Sequence, residues 1–205
     1  MKTFLFVDGS NLYGAQFKFF GPKNYLDFSI FIKLLEKGLK TNFDEIYFYA
    51  SYSPKPARLK KNIKEYLKNE GLFYRGVKNT KRTTFFKGYR SPTSGKEKEV
   101  DVKITADIVR FGFEKKFNKM YLLTGDADFL QALFAIQNLK VGIEIISIEN
   151  QVMHKGAFYY PTTIVDFVPN KLSLKFHPKQ KIKLLEINRS DVSKKIPQMH
   201  ASRVD

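Results

Sequence analysis

The chain has no cysteine and only three histidines in 205 residues. Without cysteine there are no disulfides, no thiolate nucleophile and no cysteine-ligated zinc or iron–sulfur site. His154, His177 and His200 have no metal-ligand spacing. Neither GxxxxGK[ST] nor GxGxxG occurs, so the usual glycine-rich nucleotide cradles are missing. No stretch approaches the roughly 18 consecutive apolar residues of a membrane helix. The apolar run before Asp8, Phe4–Val7, has only four residues, too few for the core of a signal peptide. A cytoplasmic protein with no membrane partner is expected. Acidic residues are also in short supply: 20, against 36 Lys and Arg, for a net charge of +16. A surplus of that size points to a polyanionic partner, held in a salt-dependent way.

What the chain does have is apolar and aromatic mass, 43% hydrophobic with 20 Phe and 11 Tyr. That is enough for one sizeable core. Strands are expected at Thr3–Val7, Glu45–Ala50, Leu72–Val77, Met120–Leu123, Val141–Ile148 and Ile164–Phe167. Helices are expected at Leu12–Phe20, around Ile30–Leu35 with Gly38 as its stop, and at Ala57–Asn69 with Gly71 as its stop. Further helices are expected at Val100–Phe113, Asp126–Gln137 and Gln151–Phe158. Strands alternating with helices give an α/β fold with a mainly parallel sheet. Residues 75–98 read as an exposed basic hairpin or loop, and Lys171–Asp205 as an appendage with poor periodicity.

In such sheets, ligands bind beyond the carboxyl ends of the strands. Asp8 and Asn11 follow the first strand; Thr124, Asp126 and Asp128 follow the strand at Met120–Leu123. These residues therefore share one edge of the sheet. Asp101 opens a helix just after the basic segment. Clustered carboxylates repel unless a cation neutralises them, and an oxygen-only donor set suits Mg2+ or Mn2+. Such an ion polarises a phosphodiester and lowers the pKa of a bound water. Each residue also has a plainer use: Asp8 in a turn, Asn11, Asp101 and Asp126 as helix caps, Thr124 as a turn hydroxyl, Asp128 favoured by a helix dipole. Asp107 lies about 240° round its helix from Asp101, with Lys103 and Arg110 one turn away on either side, as in a surface charge network. The polyanion-binding candidates are Arg75, Lys78, Lys81, Arg82, Lys87, Arg90, Lys96 and Lys98 for phosphates. Phe85, Phe86 and Tyr89 are the candidates for stacking on bases, unless the hairpin folds back on the core.

Three stretches carry a family likeness: VDGSNL at Val7–Leu12, KEVDVKITAD at Lys98–Asp107 and LLTGDADF at Leu122–Phe129. In this order and context they resemble the signatures of the NYN domain, of the PIN-like nuclease superfamily. The resemblance covers residues 1–168, with a basic insertion at 75–98, and leaves 169–205 as a C-terminal appendage. It implies a three-layer α/β/α sandwich with a mainly parallel, PIN-like sheet. It implies a metal-dependent endoribonuclease, with Asp8, Asp101, Asp126 and Asp128 as metal ligands, Asn11 and Thr124 in support, and 5′-phosphate and 3′-hydroxyl products. RNA is the implied partner; related domains often dimerise, which makes a second copy a candidate partner as well. The chain departs from the family in one place: Glu99 stands where the family often has Gly. Other readings are a catalytically silent RNA-binding module and a structure-specific DNA nuclease. An aspartyl-nucleophile phosphatase is disfavoured, because Ser10 occupies the place of its second Asp.

Overall fold

The computed structural model describes residues 1–53, 61–90, 97–126, 128–148, 162–168, 171–177 and 182–196. In chain order the elements are β1 (Thr3–Asp8), α1 (Gly9–Phe20), β2 (Asn24–Leu26), α2 (Phe28–Leu39), β3 (Glu45–Ala50) and α3 (Lys61–Lys78). Next come β4 (Thr83–Lys87), β5 (Tyr89–Arg90), β6 (Glu97–Lys98), α4 (Val100–Phe113), β7 (Lys119–Leu123) and α5 (Leu130–Ile136), which runs into a 3-10 turn. The chain continues through β8 (Gly142–Ile148), β9 (Thr162–Val168), β10 (Lys171–His177), β11 (Ile182–Asn188), α6 (Arg189–Val192) and β12 (Ser193–Lys195).

Five parallel strands form the centre of the main sheet in the order β4-β3-β1-β7-β8. β9 adds to β8 in parallel, and β11 and β10 complete that edge. β1 and β7 are buried neighbours, and their side chains alternate between two cores, as strands covered on both faces must. Tyr121 and Leu123 face a core built with Leu12 of α1, Phe31 of α2 and Phe73 of α3. Met120 and Leu122 face a second core built with Ile104 and Ile108 of α4 and Leu133 of α5. The result is a three-layer α/β/α sandwich, as the sequence implies. Gly9 is required by close packing: a Cβ there would lie 2.2 Å from the Phe48 ring and 2.7 Å from the Tyr49 carbonyl oxygen. Only a residue without a side chain lets α1 start against β3.

Three expectations need correction. The segment Leu72–Val77 is not a strand; it forms the last turns of α3. Phe73, Tyr74 and Val77 are buried at helical spacing, and six residues are too few to separate that period from a strand's. Gly71 does not stop the helix, because Phe73, Tyr74 and Val77 beyond it bury an apolar face that outweighs the low helix propensity of one glycine. Likewise α2 runs past Gly38 to Leu39, capped at its start by Asp27. Second, residues 75–98 are not one basic hairpin. Thr83–Lys87 is the edge strand of the main sheet, and only β5 and β6 pair as a hairpin. Third, Asp126 does not open a helix. Asp128 and Phe129 lie in a turn, and α5 begins at Leu130. The helix expected at Gln151–Phe158 lies outside the described residues.

The C-terminal segment returns to the body of the domain. β12 pairs antiparallel with β2. The Asp27 carboxylate accepts from Lys194 Nζ at 2.7 Å, and Val192 beside it is buried.

Candidate active site

The parallel register pairs Val7 with Leu123 and Asp8 with Tyr49. Asp8 therefore ends β1 beside Thr124, at the carboxyl edge of the sheet. Asp8 is 6% exposed and Thr124 3%. A carboxylate buried to that degree requires donors. The Asn11 backbone N–H donates to Asp8 Oδ1 at 3.0 Å, which makes Asp8 the N-cap of α1. The Thr124 hydroxyl donates to Asp8 Oδ2 at 3.0 Å. That hydroxyl oxygen in turn accepts from the Asp126 N–H at 3.1 Å. The Asn11 side-chain oxygen accepts from the Gly125 N–H at 3.0 Å. Two cross-links thus tie the end of β1 to the end of β7, one through Asp8–Thr124 and one through Asn11–Gly125. The sequence identifies Asp8, Asn11 and Thr124 but gives no sign of the Gly125 N–H, since a backbone donor leaves no trace in residue type.

Asp126 and Asp128 sit on the exposed turn before α5, where Asp126 Oδ1 accepts from the Asp128 N–H at 3.0 Å. Asp101 is exposed in the first turn of α4, which packs against β1 and β3. The preceding residue, Glu99, has φ of 75°, and its side chain makes no capping bond. This left-handed geometry is open to glycine and costly for glutamate. The oxygen donors Asp8, Asp101, Asp126 and Asp128 suit a hard cation in chemical type. Among the described residues, however, no three acidic or histidine side chains converge closely enough to hold an ion.

Asp107 differs from the surface network expected for it. It is 5% exposed. The Tyr49 hydroxyl donates to Asp107 Oδ2 at 2.9 Å, while Lys103 Nζ and Arg110 Nη2 reach Oδ1 at 2.7 and 3.1 Å. Burial, then the Asp107 charge, push the Tyr49 phenol well above its ordinary value. This cluster pins α4 to β3, one strand away from Asp8.

The proposed nucleic-acid residues scatter. Arg75 and Lys78 lie on the last turns of α3. Lys81 and Arg82 precede β4 at the opposite edge of the sheet from Asp8, and Arg82 pairs with Glu36 at 2.9 Å and with the Phe43 carbonyl. Lys87, Arg90 and Lys98 do lie beyond the carboxyl end of β4, on the strand end and the β5–β6 hairpin. Lys96 lies outside the described residues. Phe85 stacks on Phe48 at 5.4 Å and carries Lys78 Nζ 4.7 Å from its ring centroid. Phe86 packs against Tyr49, with Lys103 Nζ 5.7 Å from its ring centroid. Both rings fold back on the core; Tyr89, 52% exposed, does not.

A family model described as the NYN domain matches residues 2–159. Among solved structures, a protein of unknown function, VPA0982 from Vibrio parahaemolyticus RIMD 2210633, is similar with a TM-score of 0.58 and 17% identity. The match covers 82% of this chain and 93% of that one. At that identity the likeness speaks to the fold alone. No curated protein matches the chain.

Proposed function

The chain belongs to the NYN domain family, and from that premise we propose that it is a Mg2+- or Mn2+-dependent endoribonuclease. The observation that carries this reading is the buried Asp8 carboxylate, fixed by the Asn11 N–H and the Thr124 hydroxyl at the edge where Asp126 also sits. Asp8, Asp101, Asp126 and Asp128 would hold the metal, which when bound supplies an activated water and charge stabilisation. Asp8 is oriented in advance, because Oδ1 accepts from the first turn of α1 and Oδ2 from the hydroxyl at the end of β7. Thr124 couples Asp8 to the Asp126 backbone, which ties the start of that turn to the end of β1. Lys87, Arg90 and Lys98, beyond the end of β4, draw the phosphate backbone toward this edge. Exposed Tyr89 on the same hairpin offers a base-stacking face. No helix among the described residues is long and apolar enough to cross a membrane, and we place the enzyme in the cytoplasm.

The test is cleavage of end-labelled single-stranded and hairpin RNAs beside matched DNAs, in EDTA, Mg2+ and Mn2+, with wild type and Asp126→Asn. Metal-dependent RNA cuts that vanish in the folded D126N protein are expected. Full activity in D126N refutes the site. A catalytically silent RNA-binding module is the second reading. It is favoured by the exposure of Asp101, Asp126 and Asp128 and by the lack of a converged acidic triplet among the described residues. RNA binding without cleavage in any metal would select it.

A further inference from the structure

A second cationic site lies on the flank of the domain. A cleft of about 610 Å³ opens between three segments remote in sequence: the loop after α1, the outer face of α3 and the C-terminal end of β12. Lys23, Lys68 and Lys195 line it, with Pro22 and Ile196 as apolar wall and Glu65 as the one carboxylate. The cleft is built by pairing that the fold maintains. Lys195 sits opposite Asn24 in the β12–β2 ladder, and the Ile196 N–H donates to the Lys23 carbonyl at 2.8 Å. The Asn24 carbonyl is held from the other side by the Asn69 side-chain amide at 2.6 Å. Three lysines and one glutamate give the lining a positive balance, which favours an anionic occupant.

The cleft continues along α3. Lys64, Lys68, Gly71 and Arg75 fall at helical spacing on one outward face, over about 16 Å at 1.5 Å per residue. Lys64 and Arg75 are exposed, and neither has an ion pair among the described residues. Gly71 costs such a helix roughly 1 kcal/mol relative to alanine, yet nothing within 4 Å of a Cβ requires it. A glycine midway along a line of cations lets a partner's backbone approach the helix closely.

Resting on the endoribonuclease reading, we infer that this cleft and the α3 face form a secondary binding track for single-stranded RNA. Lys23, Lys68 and Lys195 hold phosphates, and Pro22 and Ile196 face a base. The cleft stands one length of α1, about 18 Å, from Asp8. At about 3.4 Å per stacked nucleotide, that is roughly five nucleotides from the cut. The track makes the enzyme select for length.

The test uses the full chain and a fluorescent single-stranded RNA of about 20 nucleotides, longer than a typical single-strand site. Binding is titrated against salt in EDTA, where no cutting interferes. The variant Lys23→Gln/Lys68→Gln/Lys195→Gln should lower the salt slope by about 2, since each single-strand phosphate contact contributes about 0.7. At 0.1 M salt, relative to 1 M, that slope is worth on the order of 100-fold in affinity. Glu65→Gln should tighten binding, a change of sign that misfolding cannot mimic. An RNA of about four nucleotides, too short to span from Asp8, should be cut equally by wild type and triple variant. Unchanged affinity and slope in the triple variant overturn the inference. So does failure of the wild type to bind RNA, or equal binding of polyglutamate at matched charge. Loss of binding with no cleavage in any metal leaves the track standing and removes only the nuclease reading.

Discussion

Thr124→Val tests whether the two strand ends are coupled as the geometry indicates. Thr124 is 3% exposed, and its hydroxyl both donates to Asp8 Oδ2 at 3.0 Å and accepts from the Asp126 N–H at 3.1 Å. Valine keeps the branched shape and loses both bonds. A hydrogen bond to a charged group is worth about 1.5–3 kcal/mol, and an unsatisfied buried acceptor costs a similar amount. Asp8 keeps the Asn11 N–H, and the Asp126 N–H lies on an exposed turn where water can replace the lost partner. The net loss is therefore about 2 kcal/mol. For a chain of this size that lowers the Tm by roughly 4–8 °C. Urea and thermal unfolding of wild type, T124V and Thr124→Ser measure it, and the serine variant should recover most of the loss. In a double-mutant cycle with Asp8→Asn, the coupling should reach about 1 kcal/mol. Loss below about 0.5 kcal/mol in T124V, the usual range for an uninvolved surface change, refutes the coupling. Equal damage in T124S refutes it as well, because the effect would then come from shape and not from the hydroxyl.

Glu99→Gly relieves a φ of 75° at a residue with no capping bond, and should raise unfolding free energy by about 1 kcal/mol in urea titration. Gly9→Ala places a methyl 2.7 Å from the Tyr49 carbonyl oxygen and 2.2 Å from the Phe48 ring, and should cost about 2 kcal/mol or more, read as a fall in Tm. Alkaline stability should fall with tyrosine ionisation. Burial is the main cause holding the Tyr13 and Tyr49 phenols well above their ordinary value of 10.0, with Tyr66 and Glu70 adding to the first and Asp107 to the second. Groups raised in the folded state leave stability intact below pH 10.0, and each then removes about 1.4 kcal/mol per pH unit as only the unfolded chain ionises. Cooperative tyrosinate absorbance coincident with loss of circular dichroism checks this; Tyr49→Phe should flatten the slope.

Residue type and period made much of the central sheet legible. Phe4–Val7, Glu45–Ala50 and Met120–Leu123 are short apolar runs with sharp polar ends, and each is a buried strand in the structure. Where period and composition disagreed, composition misled. The eight cations of residues 75–98 suggested one exposed unit, but Phe85 and Phe86 alternate across an edge strand and pack on Phe48 and Tyr49. The lysines there are compatible with a sheet edge, which natural proteins commonly charge. Gly71 and Gly38 read as helix stops because their neighbours' burial is invisible in sequence. Asp107 read as surface charge because Lys103 and Arg110 stand one turn away; its partner Tyr49, 58 residues distant, made it a buried one. The tail read as irregular, yet β10 and β11 are seven-residue strands of the main sheet, and the three-residue β12 finds its ladder in β2, some 170 positions earlier.

The sheet order determines what kind of centre this edge can be. Since β1 and β7 are central neighbours, Asp8 and Thr124 meet on rigid, buried backbone. Asp126 and Asp128 sit on a turn and Asp101 on a first helical turn, all in solvent. One carboxylate is therefore buried and fixed by its donors, and the other three belong to exposed residues. In the proposed enzyme a cation gains orientation from Asp8 and must still desolvate and order the others. Ordering each side chain has an entropic cost, so metal affinity is modest and depends on what else arrives at the site. A phosphodiester brings further oxygen ligands to the same ion. In the same proposal Lys87, Arg90 and Lys98 would draw in the backbone on one side and, by our inference, the α3 track on the other. RNA and metal then bind with positive coupling, since each lowers the cost of ordering the second. On the proposed reading, the net charge of +16 and the acidic edge would be parts of one arrangement: the basic surface would concentrate the substrate, and the substrate would help complete the metal site.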